Sequence, residues 1–158
     1  KAMKMLIRQR VFSWADSFDI YDEYEQRIYT CRGEMFSLGH KLHVTDTHEQ
    51  EVGYLEQELF HFLPVFNVYM HGSFVGKVNR KFSFFMPEYE MDYQGWYVEG
   101  DCMSWNYTVY DHNGIVLQIH KELLSWGDTY VIEYDRREDE LQGLMLVLAI
   151  DAANCKNN

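Results

Sequence analysis

Apolar and polar residues recur in this chain as short, evenly spaced blocks. An apolar-polar-apolar triplet returns as Phe12-Ser13-Trp14, Phe36-Ser37-Leu38, Phe60-His61-Phe62, Phe82-Ser83-Phe84, Met103-Ser104-Trp105 and Leu124-Ser125-Trp126, at steps of 24, 24, 22, 21 and 21 residues. A period of this length marks a fold built from repeated supersecondary units. After each triplet comes an apolar pair two residues apart: Phe18/Ile20, Leu42/Val44, Phe66/Val68, Tyr89/Met91, Tyr107/Val109 and Tyr130/Ile132. Spacing of two puts both members on one face of a strand and sends Asp19, His43, Asn67, Glu90 and Thr108 to the other. These segments are half-buried strands.

Polar, turn-prone runs follow the strands, among them Asp22-Glu23-Tyr24-Glu25, Asp46-Thr47-His48-Glu49, His71-Gly72-Ser73 and Asp111-His112-Asn113-Gly114. Returning strands are predicted at Ile28 to Cys31, Val52 to Glu56, Phe74 to Val78, Trp96 to Glu99 and Val116 to His120. An opening strand at Met3 to Gln9 brings the total to twelve, the last of them being the Tyr130/Ile132 strand, Tyr130 to Tyr134. Sequential antiparallel strands leave two unpaired edges unless the sheet closes on itself. With strands ~4.8 Å apart and tilted ~40°, a closed sheet of that size has a radius of roughly 12 Å, too wide for wall side chains to fill.

The C-terminal segment supplies the filling. From Glu138 to Ala153 it carries Gly143-Leu144-Met145-Leu146-Val147-Leu148-Ala149-Ile150, apolar on every helical face, behind an acidic start that suits the helix dipole. A helix of that length is a rod ~24 Å long, which matches the height of the barrel. The apolar run is shorter than the ~20 residues a bilayer span needs, and Asp151 interrupts it. The predicted fold is therefore all-β with one central helix: a closed twelve-stranded antiparallel barrel, strands within 3–134, enclosing a hydrophobic helix at about 138–153.

Composition narrows the function. The 158 residues contain 2 prolines and no linker-like run, so one domain spanning 1–158 is expected. A formal charge of -11 repels phosphate backbones, which argues against nucleic acid as a partner. Three cysteines, Cys31, Cys102 and Cys155, lack Cys-x-x-Cys spacing and suit a reducing compartment. The opening residues contain no long apolar stretch of the signal-peptide kind, and a cytoplasmic place is expected, with peripheral membrane association as the alternative.

Phe36-Ser37-Leu38-Gly39, Phe82-Ser83-Phe84-Phe85-Met86-Pro87, Val98-Glu99-Gly100-Asp101, Trp126-Gly127-Asp128-Thr129-Tyr130 and Leu146-Val147-Leu148-Ala149-Ile150-Asp151 together resemble the LURP-one-related (YxjI-type) family in order and spacing over nearly the whole chain. The resemblance implies the tubby-like fold shared with tubby C-terminal domains and phospholipid scramblases. It also implies either a non-catalytic binding or adaptor domain acting on a protein or membrane-lipid partner, or a scramblase-like, calcium-responsive lipid protein. No cofactor is implied.

Candidate chemistry is sparse. Asp135, Glu138, Asp139 and Glu140 stand where scramblases place a proposed calcium segment, but Arg136-Arg137 interrupts them and the EF-hand ladder is missing, so a solvated helix start is expected. Lys77, Arg80 and Lys81 form the densest basic group in a strand region and are the candidates for a lipid headgroup, although adjacent Arg80 and Lys81 point to opposite faces. Ser13-Trp14-Ala15-Asp16 and Ser125-Trp126-Gly127-Asp128 share a Ser-x-x-Asp spacing that reads as a turn, since neither has a histidine at a fixed offset. His40, His43 and His48 lack metal-ligand spacing and read as surface histidines. Asp151 is expected to emerge at the barrel mouth, bonded to backbone or to a basic residue. No catalytic constellation is found.

Overall fold

In the computed structural model, residues 2–10, 17–83, 88–101, 104–124 and 127–153 are described. Twelve strands follow one another in sequence: β1 (Met3–Gln9), β2 (Ser17–Asp22), β3 (Arg27–Gly33), β4 (Lys41–Thr45), β5 (Glu51–Gln57), β6 (Val65–Met70), β7 (Ser73–Lys81), β8 (Glu88–Met91), β9 (Tyr97–Asp101), β10 (Asn106–Asp111), β11 (Gly114–Leu124) and β12 (Gly127–Tyr134). Each pairs with its sequence neighbours, and β1 pairs antiparallel with β12, which closes the barrel. Closure leaves no free edge.

All six apolar pairs read from the sequence belong to the lumen-facing rows. Phe18 and Ile20, Leu42 and Val44, Phe66 and Val68, and Tyr107 and Val109 are buried, as are Tyr130 and Ile132; Tyr89 is buried and Met91 packs against the same core. Register keeps these rows aligned from strand to strand, as in Ile7 opposite Ile20 on β2 and opposite Tyr130 on β12. A slip of one residue would turn every one of these side chains outward, so burial itself sets the pairing.

A repeated device makes two of the tight turns. Asp22 Oδ1 accepts the backbone N–H groups of Tyr24 and Gln26, both at 2.9 Å, and Asp46 Oδ1 accepts those of His48 at 2.8 Å and Gln50 at 3.0 Å. Glu25 and Glu49 then take left-handed backbone angles, φ 63° and 60°, which reverse the chain.

After β12 a short 3-10 turn, Arg137–Asp139, leads into helix α1, Glu140–Ala152. Gly143 to Ala152 are buried without a break, so the helix has no solvent face. The barrel makes room for it: a Cβ on Gly53 of β5 would lie 2.6 Å from Met145 Sδ, and one on Gly143 would lie 3.1 Å from a Leu117 methyl. Glycine at these two positions brings helix and wall to contact distance. Burying each large side chain of α1 is worth about 1.5–3 kcal/mol.

Two sequence expectations shift. The helix starts two residues later than predicted, because Glu138 and Asp139 lie in the 3-10 turn, and ends one residue sooner. β9 begins at Tyr97, leaving Trp96 in the turn before it, and β7 and β11 run several residues longer than predicted. Two of the triplets, Phe36-Ser37-Leu38 and Phe60-His61-Phe62, lie between strands, with Phe36, Phe60 and Phe62 on the surface. Their period is that of the loops that return at one end of the barrel.

Because Leu148 faces the lumen wall with 1% exposure, Leu148→Asp places a charge where no partner can reach it. The expected outcome is loss of the native state, at a cost above about 4 kcal/mol. Thermal unfolding checks it: a soluble variant with a cooperative melt near that of the native protein would contradict the buried position of α1.

Candidate functional site

The barrel has two unlike ends. At one, five hairpin turns and the entry to α1 come together. At the other lie the six remaining connections, from β1–β2 to β11–β12, and the end of α1. Each end holds the helix by a carboxylate. At the turn end Glu140 accepts the hydroxyls of Tyr29 at 2.8 Å and Tyr134 at 2.5 Å, and Arg137 adds a contact at 3.1 Å. Burial, together with the Glu140 charge, pushes both phenols well above their ordinary pKa, so they remain donors at any physiological pH.

At the loop end Asp151, only 3% exposed, accepts the Tyr130 hydroxyl at 2.5 Å. Tyr130 stacks on Trp105 with centroids 4.3 Å apart, Trp105 meets Tyr107 edge-on, and Tyr107 meets Tyr89 in the same way. Burial pushes the Tyr89 phenol up to about 12. This aromatic lid lies over the helix end. Asp151 therefore does not emerge at the mouth as expected. It stays inside because a tyrosine hydroxyl, which the sequence pattern does not reveal as a partner, reaches it there.

The lumen is full, and the clefts lie outside it. One of about 420 Å3 runs along the wall past Arg27, Arg32, Thr30 and His43. A second, of about 570 Å3, lies beneath the β3–β4 loop between Met35, Phe36, Leu42 and Gln57. A third, of about 470 Å3, crosses β9 to β12 at Glu99, Thr108 and Glu133.

Of the proposed calcium residues, Glu138, Asp139 and Glu140 lie at the helix entry beside other partners, and Asp135 precedes it. Arg136 binds Asp139 at 2.9 Å and lies 3.8 Å from Glu138, while Glu140 is the tyrosine-bound clamp. Among the described residues, no group of three or more His, Cys, Asp or Glu is placed to hold a metal ion. Nor do the headgroup candidates converge. Lys77 pairs with Glu58 at 2.7 Å and Lys81 lies 4.0 Å from Glu90, both on the outward row, whereas Arg80 is registered opposite Tyr89 on the inward row. Residues 13–16, 125 and 126 of the two Ser-x-x-Asp segments lie outside the described residues.

His48 sits in its turn, with its backbone N–H bonded to Asp46. His43 faces outward as expected, clasped between Glu51 at 2.5 Å and Glu34 at 2.6 Å. Burial alone would lower its pKa, but the bonds to Glu34 and Glu51 outweigh it and the net direction is upward.

The sequence reading missed an arginine wall on β1 to β3. Asp19 receives a two-pronged contact from Arg10 at 2.8 and 2.9 Å, with Arg27 at 3.8 Å, and the field of Arg32 reaches it as well. The Arg10 bonds, helped by the charges of Arg27 and Arg32, hold its carboxyl below the usual range despite partial burial. Arg8 lies over the Tyr21 ring at 4.7 Å. The clue in the sequence was spacing: Arg8 and Arg10 share a strand face, yet which residues oppose them depends on register.

Twelve sequential strands closed around an apolar helix define a tubby-like barrel. The chain belongs to the LURP-one-related family, whose model matches residues 3–151. It is 30% identical over 149 residues to the uncharacterized protein YxjI of Bacillus subtilis (strain 168), covering 94% of this chain and 92% of that one. An Arabidopsis thaliana protein solved by X-ray crystallography has the same fold, with a TM-score of 0.66 at 18% identity over 97% of this chain and 92% of that one.

Two substitutions test this description. Tyr130→Phe leaves the buried Asp151 carboxylate one donor short, and a loss of about 1.5–3 kcal/mol is expected in urea unfolding. His43→Gln tests the clasp through pH. A raised pKa means that the bound proton stabilises fully below the ordinary value near 6.5 and that this support disappears as pH rises through the folded value. The native protein is therefore expected to lose more stability than the variant from pH 6 to 9, by at most about 1 kcal/mol because the clasp is partly solvated.

Proposed function

We propose that this protein is a non-catalytic binding or adaptor domain, which engages a protein or membrane-lipid partner through its outer surface while α1 remains in the barrel. The observation that carries the reading is the sealed lumen. Small-molecule enzymes work in concave sites, whereas here the interior is occupied by α1 and held at both ends by Glu140 and Asp151. In this reading Asp139 and Glu140 anchor the helix start instead of serving a calcium ion.

A scramblase-like action would require α1 to leave. Helix α1 has 13 residues, and among the described residues no helix is long and apolar enough to cross a membrane. Leaving would also break the Tyr29, Tyr134 and Tyr130 bonds.

Hydrogen exchange with the protein alone, with calcium, and with neutral and anionic phospholipid vesicles tests the reading. The amides of Leu144 to Ile150 are expected to keep the protection of global unfolding in every condition, with calcium changing nothing. Loss of that protection on adding calcium or lipid would overturn the reading in favour of helix release.

A further inference from the structure

The loop end carries an unusual set of side chains. Phe36, Phe60 and Phe62 are 96%, 101% and 95% exposed, Leu38 and Phe82 are largely exposed on the same stretch of rim, and Leu123 is largely exposed on the far side of the barrel. They come from the β3–β4, β5–β6 and β7–β8 connections, which are neighbours on the rim, and from the end of β11. Single exposed apolar residues are ordinary; a crown of them at one pole is not.

Two of the phenylalanines also sit in unfavourable backbone. Phe36 has φ 60° and Phe60 has φ 67°, the left-handed region that suits Gly, Asn or Asp and penalises a bulky side chain. Both therefore cost stability through the backbone, and the ring gains no burial in exchange. Strain kept at exposed positions points to a use outside the folded chain.

We infer that the crown is a membrane-docking surface whose occupant is the interfacial zone of a phospholipid bilayer. This rests on the binding-domain reading and names its partner. Charge selects the orientation. The five hairpin turns at the opposite pole contain Glu23, Glu25, Asp46, Glu49 and Asp92 with no Lys or Arg, and Arg136 and Arg137 at the helix entry there are paired with Asp139 and Glu140. Behind the crown Arg32, Lys41, Lys81 and Lys121 are interspersed with Glu34, Glu58, Glu88 and Glu122, so the turn pole is the more acidic of the two. The barrel axis thus points its apolar pole at the bilayer and its acidic pole away from headgroup phosphates. Shape favours a bilayer over a protein: the rings project from separate loops, and a soft interface accepts projecting rings without matched pockets. Insertion of apolar rings drives binding, against the long-range repulsion of a chain with charge -11. Salt should consequently strengthen attachment to anionic vesicles, the reverse of what a phosphate-binding site shows.

The test is co-sedimentation of the full chain with phosphatidylcholine vesicles, with and without phosphatidylserine, at low and high salt. The native protein is expected to bind both, and more tightly to the anionic ones as salt rises. Phe36→Asn combined with Phe60→Asn should weaken binding at least about tenfold while raising the melting temperature, because Asn tolerates the left-handed backbone that Phe resists. Phe62→Ser, at a position without that strain, should weaken binding with an unchanged melt.

Any of four results overturns the inference. The native protein fails to bind either vesicle, which leaves the crown to a protein partner. The variants bind within twofold of the native protein. The variants melt lower, so that the rings support the fold. Light scattering finds a native dimer that the variants convert to monomer, so that a second copy covers the crown. Failure of the underlying reading would show separately, as exchange of the α1 amides on vesicles.

Discussion

Filling the lumen is the constraint on which the rest of this structure depends. A sheet of twelve strands closes at a radius its own side chains cannot fill, so the interior requires a rod that is apolar all round. Helix α1 meets the requirement with ten consecutive buried residues, and glycines at Gly53 and Gly143 set how near it lies to the wall. The barrel in turn supplies what a wholly apolar helix lacks in water, a surface to cover every face.

Such a plug could slide or leave unless its ends are fixed. Both ends are held by the same chemistry, a carboxylate on the helix accepting tyrosine hydroxyls from the wall: Glu140 with Tyr29 and Tyr134, and Asp151 with Tyr130. A buried carboxylate costs stability unless bonded, so each clamp also ties the helix to one axial position. Tyrosine suits the task, since its ring joins the apolar wall and its hydroxyl reaches inward.

With the interior spent on packing, the accessible surface is the outside, and there the two poles differ. Tight turns built on Asp22 and Asp46 make one pole acidic and compact. Two connections at the other pole carry Phe36 and Phe60, which are exposed and held in left-handed backbone. Between them the outward rows hold charge networks, the arginines around Asp19 and the clasp on His43, which couple neighbouring strands across the wall. A tubby-like barrel of the LURP-one-related family thus separates a packed interior from a charged and partly apolar surface.

Period and polarity along the chain determined strand number, strand faces, the closed sheet and the apolar helix, because alternation of two and an uninterrupted apolar run each leave one way to bury the side chains. The sequence also marked the loop triplets, but without showing that Phe36 and Phe60 would be exposed, since a phenylalanine beside a strand reads equally well as core. Only the tertiary structure decided that, together with the partners of Asp151 and Glu140 and the gathering of Arg10, Arg27 and Arg32 around Asp19. Each of these joins residues from different strands or from wall and helix. The register and the axial position of α1 determine such meetings, and no local pattern encodes them.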